Sequence, residues 1–169
     1  MSPRVEVLAL TRPVFEALAA GDPVAADAAA PVPLPPSFAD PGWASVWRVR
    51  AAQVAADPRL AAWVTGVVWD PDRRLAVGRA GFHGPPDGRG VVEIGYAVLP
   101  EHRRRGYARA ALAALLDRAR REPAVRVVRL SIAPDNAASL ATARPFGFLR
   151  VGEQVDEVDG LEVVYELGL

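Results

Sequence analysis

The 169-residue sequence predicts one α+β domain, with a mixed, mostly antiparallel sheet of about seven strands and about four flanking helices. Apolar residues that alternate along the chain identify the strands, and apolar residues three or four positions apart identify the helices. Three central strands follow one another across short turns, which is typical of antiparallel pairing. Because this length suits a single sizeable core, residues 1–169 are assigned to one domain.

The first part of the chain predicts one strand, two helices and one irregular segment. A short strand at residues 5–10 precedes a helix over 12–21, which ends at a glycine. Residues 22–42 are rich in proline and alanine and cannot form one regular element. We therefore expect an ordered loop folded over the domain. Residues 43–56 place apolar side chains at helical spacing and predict the second helix.

The remaining elements complete the sheet. Apolar runs bounded by turn residues predict strands at residues 60–70, 74–84, 90–100 and 125–134. Helical spacing predicts helices at residues 106–122 and 136–147, the second of them interrupted by Pro145. The closing segment is predicted to be a β-hairpin that turns at Asp159-Gly160.

Composition argues against several classes of protein. Without cysteine the chain has no disulfide and no thiolate metal site, so a cytoplasmic location is expected, and two histidines do not predict a metal centre. The formal net charge is zero, whereas nucleic-acid-binding domains are usually basic. No apolar run approaches the ~20 residues that cross a bilayer, and the first residues do not predict a secretory leader. We expect no nucleic acid, membrane or metal as a partner.

The strand at residues 90–100 has two unlike faces. Its bulky alternate residues suit core packing, whereas the opposite face carries Glu93, Gly95 and Ala97. Such a face lets a backbone or an extended ligand approach closely. The alternative is a glycine that marks a bulge beside a glutamate on a solvated edge.

The loop after this strand predicts an anion site. Arg103, Arg104 and Arg105 precede Gly106, where a helix is predicted to begin. The first amides of a helix are unpaired and carry a positive partial charge, and Gly106 and Ala108 leave them accessible to phosphate oxygens. Guanidinium groups add bidentate phosphate contacts. A solvated helix start is the alternative, although arginines there oppose the helix dipole.

Residues 103–108, "RRRGYA", match the pyrophosphate-loop signature Arg/Gln-x-x-Gly-x-Gly/Ala of the GNAT superfamily of N-acetyltransferases. With the strand before it, the helix after it and "PDNAAS" further on, the sequence resembles this family from about Gly90 to Gly152. The hairpin "DEVDGLEVVYEL" resembles the branch that acetylates the N-termini of ribosomal proteins. The N-terminal half resembles the family in element order only.

The resemblance implies a donor site. The fourth strand of the family bulges and diverges from the fifth, and acyl-CoA, here most simply acetyl-CoA, enters the gap. The backbone around Val98 would pair with the pantetheine amides, and the amides of residues 104 to 108, including Tyr107, would hold the pyrophosphate. Asn136 and Ser139 match the family's N-x-x-S motif, which contacts the pantetheine arm and the thiol. Helix capping is the simpler role for Asn136.

The resemblance also implies catalytic residues. Many relatives carry a tyrosine seven residues after the asparagine, which protonates the leaving thiolate, but here that position is Ala143. Ser139 is then the candidate for this role. Glu93 is the candidate base, through a water molecule, with His83 and Asp156 as less favoured alternatives.

The acceptor pocket of the family is lined by its first two helices and the closing hairpin. In this chain Trp43, Trp47 and Trp63 would form an apolar wall, and acidic residues including Asp156 would attract an amine. Tryptophans in the core and acids on a solvated turn are the alternative. The resulting hypothesis is an acetyl-CoA-dependent N-acyltransferase, monomeric or homodimeric, that acts on a primary amine. A non-catalytic CoA-binding module and an arginine-dependent nucleic-acid module are the rival hypotheses.

Overall fold

The computed structural model describes residues 2–169, whose elements follow the predicted order. The strands are β1 (Glu6–Leu8), β2 (Gly66–Asp70), β3 (Leu75–Phe82), β4 (Val91–Val98), β5 (Val127–Ile132), β6 (Leu149–Asp156) and β7 (Gly160–Gly168). The helices are α1 (Arg12–Ala19), α2 (Pro23–Ala29), α3 (Ala44–Ala56), α4 (Tyr107–Arg121) and α5 (Ala137–Ala143). Over these residues, none of the helices combines the length and apolar character that crossing a bilayer requires.

The strands form one sheet in the order β1-β2-β3-β4-β5-β7-β6. Every neighbouring pair in this sheet is antiparallel except β4 and β5, which are parallel. Parallel strands need a long crossover connection, and here α4 supplies it. The mixed α+β fold predicted from the sequence is confirmed.

The parallel pair is short. Residues 91–93 of β4 pair with residues 127–129 of β5, and within the described chain this pairing ends at Glu93. Strand β5 continues along β7 as far as Ile132. The two halves of the sheet therefore diverge from Ile94 onward, as the resemblance implied.

Strand β4 reaches this gap without the bulge that the resemblance implied. Its pairing with β3 runs in unbroken register from Gly78 opposite Val98 to Phe82 opposite Ile94. The His83 amide donates to the Glu93 carbonyl at 2.8 Å, which extends the same register beyond the strand. The gap thus opens because β5 stays with β7, while β4 stays with β3.

Two apolar cores cover the two faces of the sheet. On one face α4 packs Leu112, Leu115 and Leu116 against β4 and β5. On the other face α1 and α3 pack Phe15 and Trp47 against β2. The opposite environments of the two faces follow from the alternation of side chains along each strand.

The proline-rich segment contains a helix that the sequence did not predict. The side chain of Asp22 accepts a hydrogen bond from the Ala25 amide at 2.9 Å and caps α2, and Pro23 occupies the first helical position. Further along, Phe38 is fully buried. The segment is ordered as expected, but its local capping produces an additional short helix.

Candidate active site

A cavity of about 850 Å³ lies where β4, the start of α4 and the start of α5 meet. Its lining includes all nine residues predicted to hold CoA: Val98, Arg103, Arg104, Arg105, Gly106, Tyr107, Ala108, Asn136 and Ser139. These residues come from two segments that are separated by β5 in sequence. The fold therefore brings together the two predicted halves of the donor site.

The loop before α4 presents unpaired amides to this cavity. Gly106 adopts φ +84° directly before the helix, and Arg104 is also left-handed at φ +60°. Among the described residues, no oxygen accepts a hydrogen bond from the amides of residues 104–109. Consecutive free amides at a helix start form an anion-binding concavity. The chain's own backbone thus provides the charge complement for phosphate.

The three arginines differ in their contacts. Arg103 donates from Nε to the Val98 carbonyl at 3.1 Å, which ties the loop to the end of β4. Arg104 and Arg105 are exposed on the rim of the cavity. Of these three arginines, Arg104 and Arg105 make no side-chain hydrogen bond with the described residues and can turn toward an anion.

The edge of β4 faces the gap. The Glu93 carbonyl accepts from the His83 amide just after β3, and the Leu99 amide donates to the Val77 carbonyl of β3. The alternate backbone groups of Ile94, Tyr96 and Val98 therefore point away from β3 and toward the gap. An extended ligand can pair with such an edge as an additional strand. The predicted role of the Val98 backbone thus belongs to the strand edge. The small residues Gly95 and Ala97 lie on a face of the sheet and do not form this edge.

A smaller cavity of about 270 Å³ continues the gap as far as Ile94, and Glu93 lines neither cavity. Tyr96, Asn136 and Ser139 line both cavities. The smaller cavity also contacts two acids of the closing hairpin, Asp159 and Glu162. The gap therefore runs from a basic mouth at the α4 loop to an acidic inner end.

Asn136 caps α5, as its alternative role predicted. Its Oδ1 accepts a hydrogen bond from the Ser139 amide at 3.1 Å. Ser139, in the first turn of the helix, lines both cavities. Ala143, in contrast, is buried in the core under α5.

Tyr96 was assigned to core packing from the sequence, but its phenol lies in the gap. The hydroxyl donates to the Ser139 carbonyl at 3.4 Å, a long hydrogen bond. Burial raises the pKa of the Tyr96 phenol, more than hydrogen bonding at Ser139 and Thr142 lowers it, so the phenol keeps its proton at neutral pH. A single polar side chain on an otherwise apolar strand face was the available signal.

Glu93 and His83 lie beside each other on the face of the sheet that α3 covers. His83 Nδ1 is 3.8 Å from Glu93 Oε1, and the Glu93 side chain is about one-quarter exposed (24%). Partial burial lowers the pKa of His83 more than the Glu93 carboxylate raises it, so His83 is neutral near pH 7. The His83 ring packs directly against Gly95, since a Cβ at this position would lie 2.9 Å from Nε2 of the ring.

Two of the three predicted acceptor tryptophans are ruled out by their surroundings. Trp47 is fully buried and donates from Nε1 to the Phe38 carbonyl at 2.7 Å, so it is a core residue. Trp63 packs against Phe82 in the core on the α4 side of the sheet. Trp43 is half-buried and lies over the guanidinium of Arg79. It stays a candidate.

Asp156 has a structural role in the closing hairpin. Its Oδ1 accepts hydrogen bonds from the amides of Val158 and Asp159 at 2.7 and 2.9 Å. These two amides lower the pKa of Asp156, so its carboxylate is charged at neutral pH. The attraction of an amine substrate by Asp156 stays a prediction.

Tyr107 turns its side chain away from the cavity. Its hydroxyl donates to Oδ2 of the buried Asp70 at 2.7 Å. Arg73 donates to the same carboxylate at 3.0 Å. This contact anchors the first turn of α4 to the end of β2, and only the backbone of Tyr107 is available to a ligand.

Within residues 2–169, no group of three or more histidine, cysteine, aspartate or glutamate side chains is placed to hold a metal ion. The groups that face the cavities are amides, guanidinium groups, hydroxyls and carboxylates. Their arrangement suits the binding of a long anionic ligand and acid–base chemistry at its inner end.

Comparisons with known proteins agree with this geometry. Residues 11–149 match the sequence model of the Acetyltransferase (GNAT) domain family. The uncharacterized N-acetyltransferase YjdG of Bacillus subtilis (strain 168) is 34% identical over 83 residues. That alignment covers 49% of this chain and 49% of YjdG.

Two solved structures share the whole fold. A chimera of the spermidine N-acetyltransferase SpeG from Vibrio cholerae and hSSAT superposes with a TM-score of 0.69 at 15% identity, over 98% of this chain and 95% of that one. The protein yncA of Salmonella typhimurium, solved with its cofactor acetyl-CoA, has a TM-score of 0.61 at 22% identity, over 98% and 94%.

Proposed function

Because the chain belongs to the GNAT acetyltransferase family, we propose that it transfers an acetyl group from acetyl-CoA to a primary amine. The transfer is direct, with donor and acceptor bound together. The observation that carries the proposal is the unpaired edge of β4, which begins at Ile94 and leads to the free amides before α4. The acetyl-CoA complex of yncA supports the choice of donor.

The proposed donor site extends along the gap from the loop before α4 to the smaller cavity. The amides of residues 104–108 hold the pyrophosphate, with Arg104 and Arg105 as counter-charges. The backbone of Tyr96 and Val98 pairs with the pantetheine amides. From Val98 to Ile94 the edge is about 13 Å long, which is enough for an extended arm to reach the smaller cavity.

The chain's residues supply the proton transfers at the inner end. Glu93 takes a proton from the amine, directly or through water, and His83 holds the carboxylate in place. The amine nitrogen forms a bond to the thioester carbon, and the carbon–sulfur bond then breaks. Tyr96 gives its proton to the sulfur, while the Ser139 hydroxyl donates a hydrogen bond to it. Bulk water restores the phenol proton.

Free-thiol release from acetyl-CoA tests this function with a panel of amines and N-terminal peptides. We expect at least one class of amine to be acetylated. Glu93→Gln should lower kcat by roughly 10²- to 10⁴-fold, the usual contribution of a general base, and leave CoA affinity unchanged. Glu153→Gln, on the exposed edge strand β6, is a matched control. Normal turnover by Glu93→Gln across pH 6 to 9 would exclude Glu93 as the base.

A non-catalytic CoA-binding module is the second candidate. The observation in its favour is Ala143, which places a buried methyl group where relatives carry the acidic phenol. This candidate predicts tight CoA binding without thiol release for every amine tested. Release of thiol that depends on added amine decides between the two candidates.

A further inference from the structure

Arg79 on β3 is a half-buried cation without a partner. Its Nε is shielded from solvent and has no hydrogen-bond acceptor among the described residues. No carboxylate of residues 2–169 lies within 4.0 Å of its guanidinium group, and burial lowers the pKa of Arg79 to about 10. Buried charges are ordinarily paired, because an unpaired one loses hydration without compensation.

The neighbouring Arg50, in contrast, has hydrogen-bond acceptors for its guanidinium group. It lies on α3 and donates to Thr65 Oγ1 at 2.9 Å and to Gln53 Oε1 at 2.8 Å. Its positive charge further disfavours the charged form of Arg79, and Asp159 compensates only through a longer-range attraction. Arg79 therefore lies near a second positive charge, and no carboxylate of residues 2–169 forms an ion pair with it.

Trp43 orients the free guanidinium. The carbon Cζ of Arg79 lies 5.0 Å from the centre of the Trp43 ring. A guanidinium that is stacked on an aromatic face keeps its edge N–H groups free for a planar, bidentate contact. This geometry suits a carboxylate or a phosphate.

The position of Arg79 relates it to the transfer site. It pairs with Ala97 of β4, and Ala97 lines the larger cavity, the one of about 850 Å³. Antiparallel partners share a face, so Arg79 lies on the same face of the sheet as Glu93 and His83, four residues along the strands. The inner end of the gap, at Ile94, lies three residues along the strands from Arg79, on the order of 10 Å. One acceptor molecule can therefore reach both.

We infer that the acceptor amine carries an anionic group, a carboxylate or a phosphate, that Arg79 binds while the amine lies near Glu93 and the acids of the closing hairpin. This inference rests on the proposed acetyl transfer and specifies its substrate class. The separation selects amines whose anionic group lies several bonds from the nitrogen. A simple polyamine would bring a second cation next to Arg79 and is disfavoured.

The test is a matched series of acceptors. It compares β-alanine, 4-aminobutyrate and 6-aminohexanoate with their carboxamides, and 3-aminopropyl phosphate distinguishes phosphate from carboxylate. We expect the wild type to prefer the acids in kcat/KM by at least about tenfold, since a charge-assisted hydrogen bond contributes more than a neutral one. Arg79→Gln should remove this preference and leave kcat/KM for the carboxamides unchanged.

Two variants separate binding from folding. Arg79→Lys keeps the charge without the bidentate edge and should retain only part of the preference. Arg48→Gln, on the exposed side of α3, should retain all of it. Thermal unfolding of each variant identifies loss of fold. Equal use of acids and carboxamides by the wild type, or an equal loss of both in Arg79→Gln, overturns the inference.

Failure of the proposed function is recognised separately. If no amine is acetylated while CoA binds, calorimetric titration of the same acids into the CoA complex still tests the anion site. Binding of an acid that disappears in Arg79→Gln supports the site without catalysis. Absence of such binding overturns the inference.

Discussion

Replacing Gly106 with alanine tests the assignment of the α4 loop. Gly106 has φ +84°, and a Cβ at this position would lie 3.2 Å from Cδ of Pro3. A residue with a Cβ loses roughly 1–2 kcal/mol in the left-handed conformation. Pro3 must also move by a few tenths of an ångström. The total perturbation is therefore about 1–2 kcal/mol.

This strain lowers either the stability of the fold or the affinity for CoA, depending on whether the loop keeps its conformation. If the loop keeps its conformation, the free energy of unfolding falls by the full amount and CoA affinity is unchanged. If the loop relaxes, its amides turn away from the phosphate position, and CoA binding weakens by roughly 5- to 30-fold. The losses in unfolding free energy and in binding free energy should add up to about 1–2 kcal/mol.

Two variants serve as controls for Gly106→Ala. Gly147 also has a left-handed φ of +80°, but a Cβ there meets no atom within 4 Å, and it does not line the donor cavity. Gly147→Ala should therefore lower stability without affecting CoA binding. Arg105→Ala removes one exposed charge, and exposed ionic contacts contribute about 1 kcal/mol or less.

Isothermal titration of CoA and urea unfolding provide the two free energies. We expect Gly106→Ala to show a loss in one or both measurements, and a larger loss of affinity than Arg105→Ala whenever the loop relaxes. If Gly106→Ala leaves both quantities unchanged, the loop geometry is not what positions the amides. If the loop of Gly106→Ala relaxes and Arg105→Ala nevertheless loses more affinity for CoA, the charge of the arginines, and not the placement of the amides, dominates CoA binding.

Three further predictions concern the residues around the gap. Tyr96→Phe should lower kcat by roughly 10²-fold or more with KM for acetyl-CoA nearly unchanged, because it removes a proton donor but keeps the ring. Tyr165→Phe on β7 should retain activity, and steady-state kinetics compare the two. Asn136→Ala should lower the unfolding free energy by about 1 kcal/mol through loss of the α5 cap, measured by urea unfolding. Tyr107→Phe should cost about 1–3 kcal/mol, because the buried Asp70 carboxylate loses a donor. Burial raises the pKa of Asp70, but hydrogen bonds from Tyr107 and Arg73 outweigh it and lower the pKa below its unfolded value. The stabilisation is therefore present above about pH 4 and is lost as the pH falls through the lowered pKa, so unfolding curves of wild type and Tyr107→Phe should converge in acid.

The residues that line the larger cavity could be predicted because they are close in sequence. The end of β4, the arginines, Gly106 and the first turn of α4 are consecutive, so their geometry follows from local rules for strand ends, glycine conformation and helix starts. Asn136 and Ser139 follow the same logic at the start of α5. The unexpected helix α2 also forms through local interactions, because Asp22 caps it and Pro23 occupies its first position. The sequence contained both signals, but the surrounding prolines favoured the prediction of an irregular segment.

The acceptor side was predicted less well because it depends on contacts between distant segments. Trp43 and Trp47 lie on the same predicted helix, yet one covers Arg79 and the other is buried in the core. Helical spacing alone does not say which side of the stripe faces the sheet. Likewise, Tyr96 was assigned to core packing. Its own strand does not show that α5 leaves its hydroxyl uncovered.

By itself the sequence determined the order and type of most elements, the glycine before α4 with the free amides of the first turn, and the capped start of α5. Only the tertiary structure decided that β4 parts from β5 at Glu93, that the strand's edge and not its small-residue face meets the gap, and that Arg79 lies beside Ala97 without a partner. These features depend on strand register, in which a shift of one residue moves every side chain to the opposite face. Register is set by packing across the whole sheet, which no local pattern specifies.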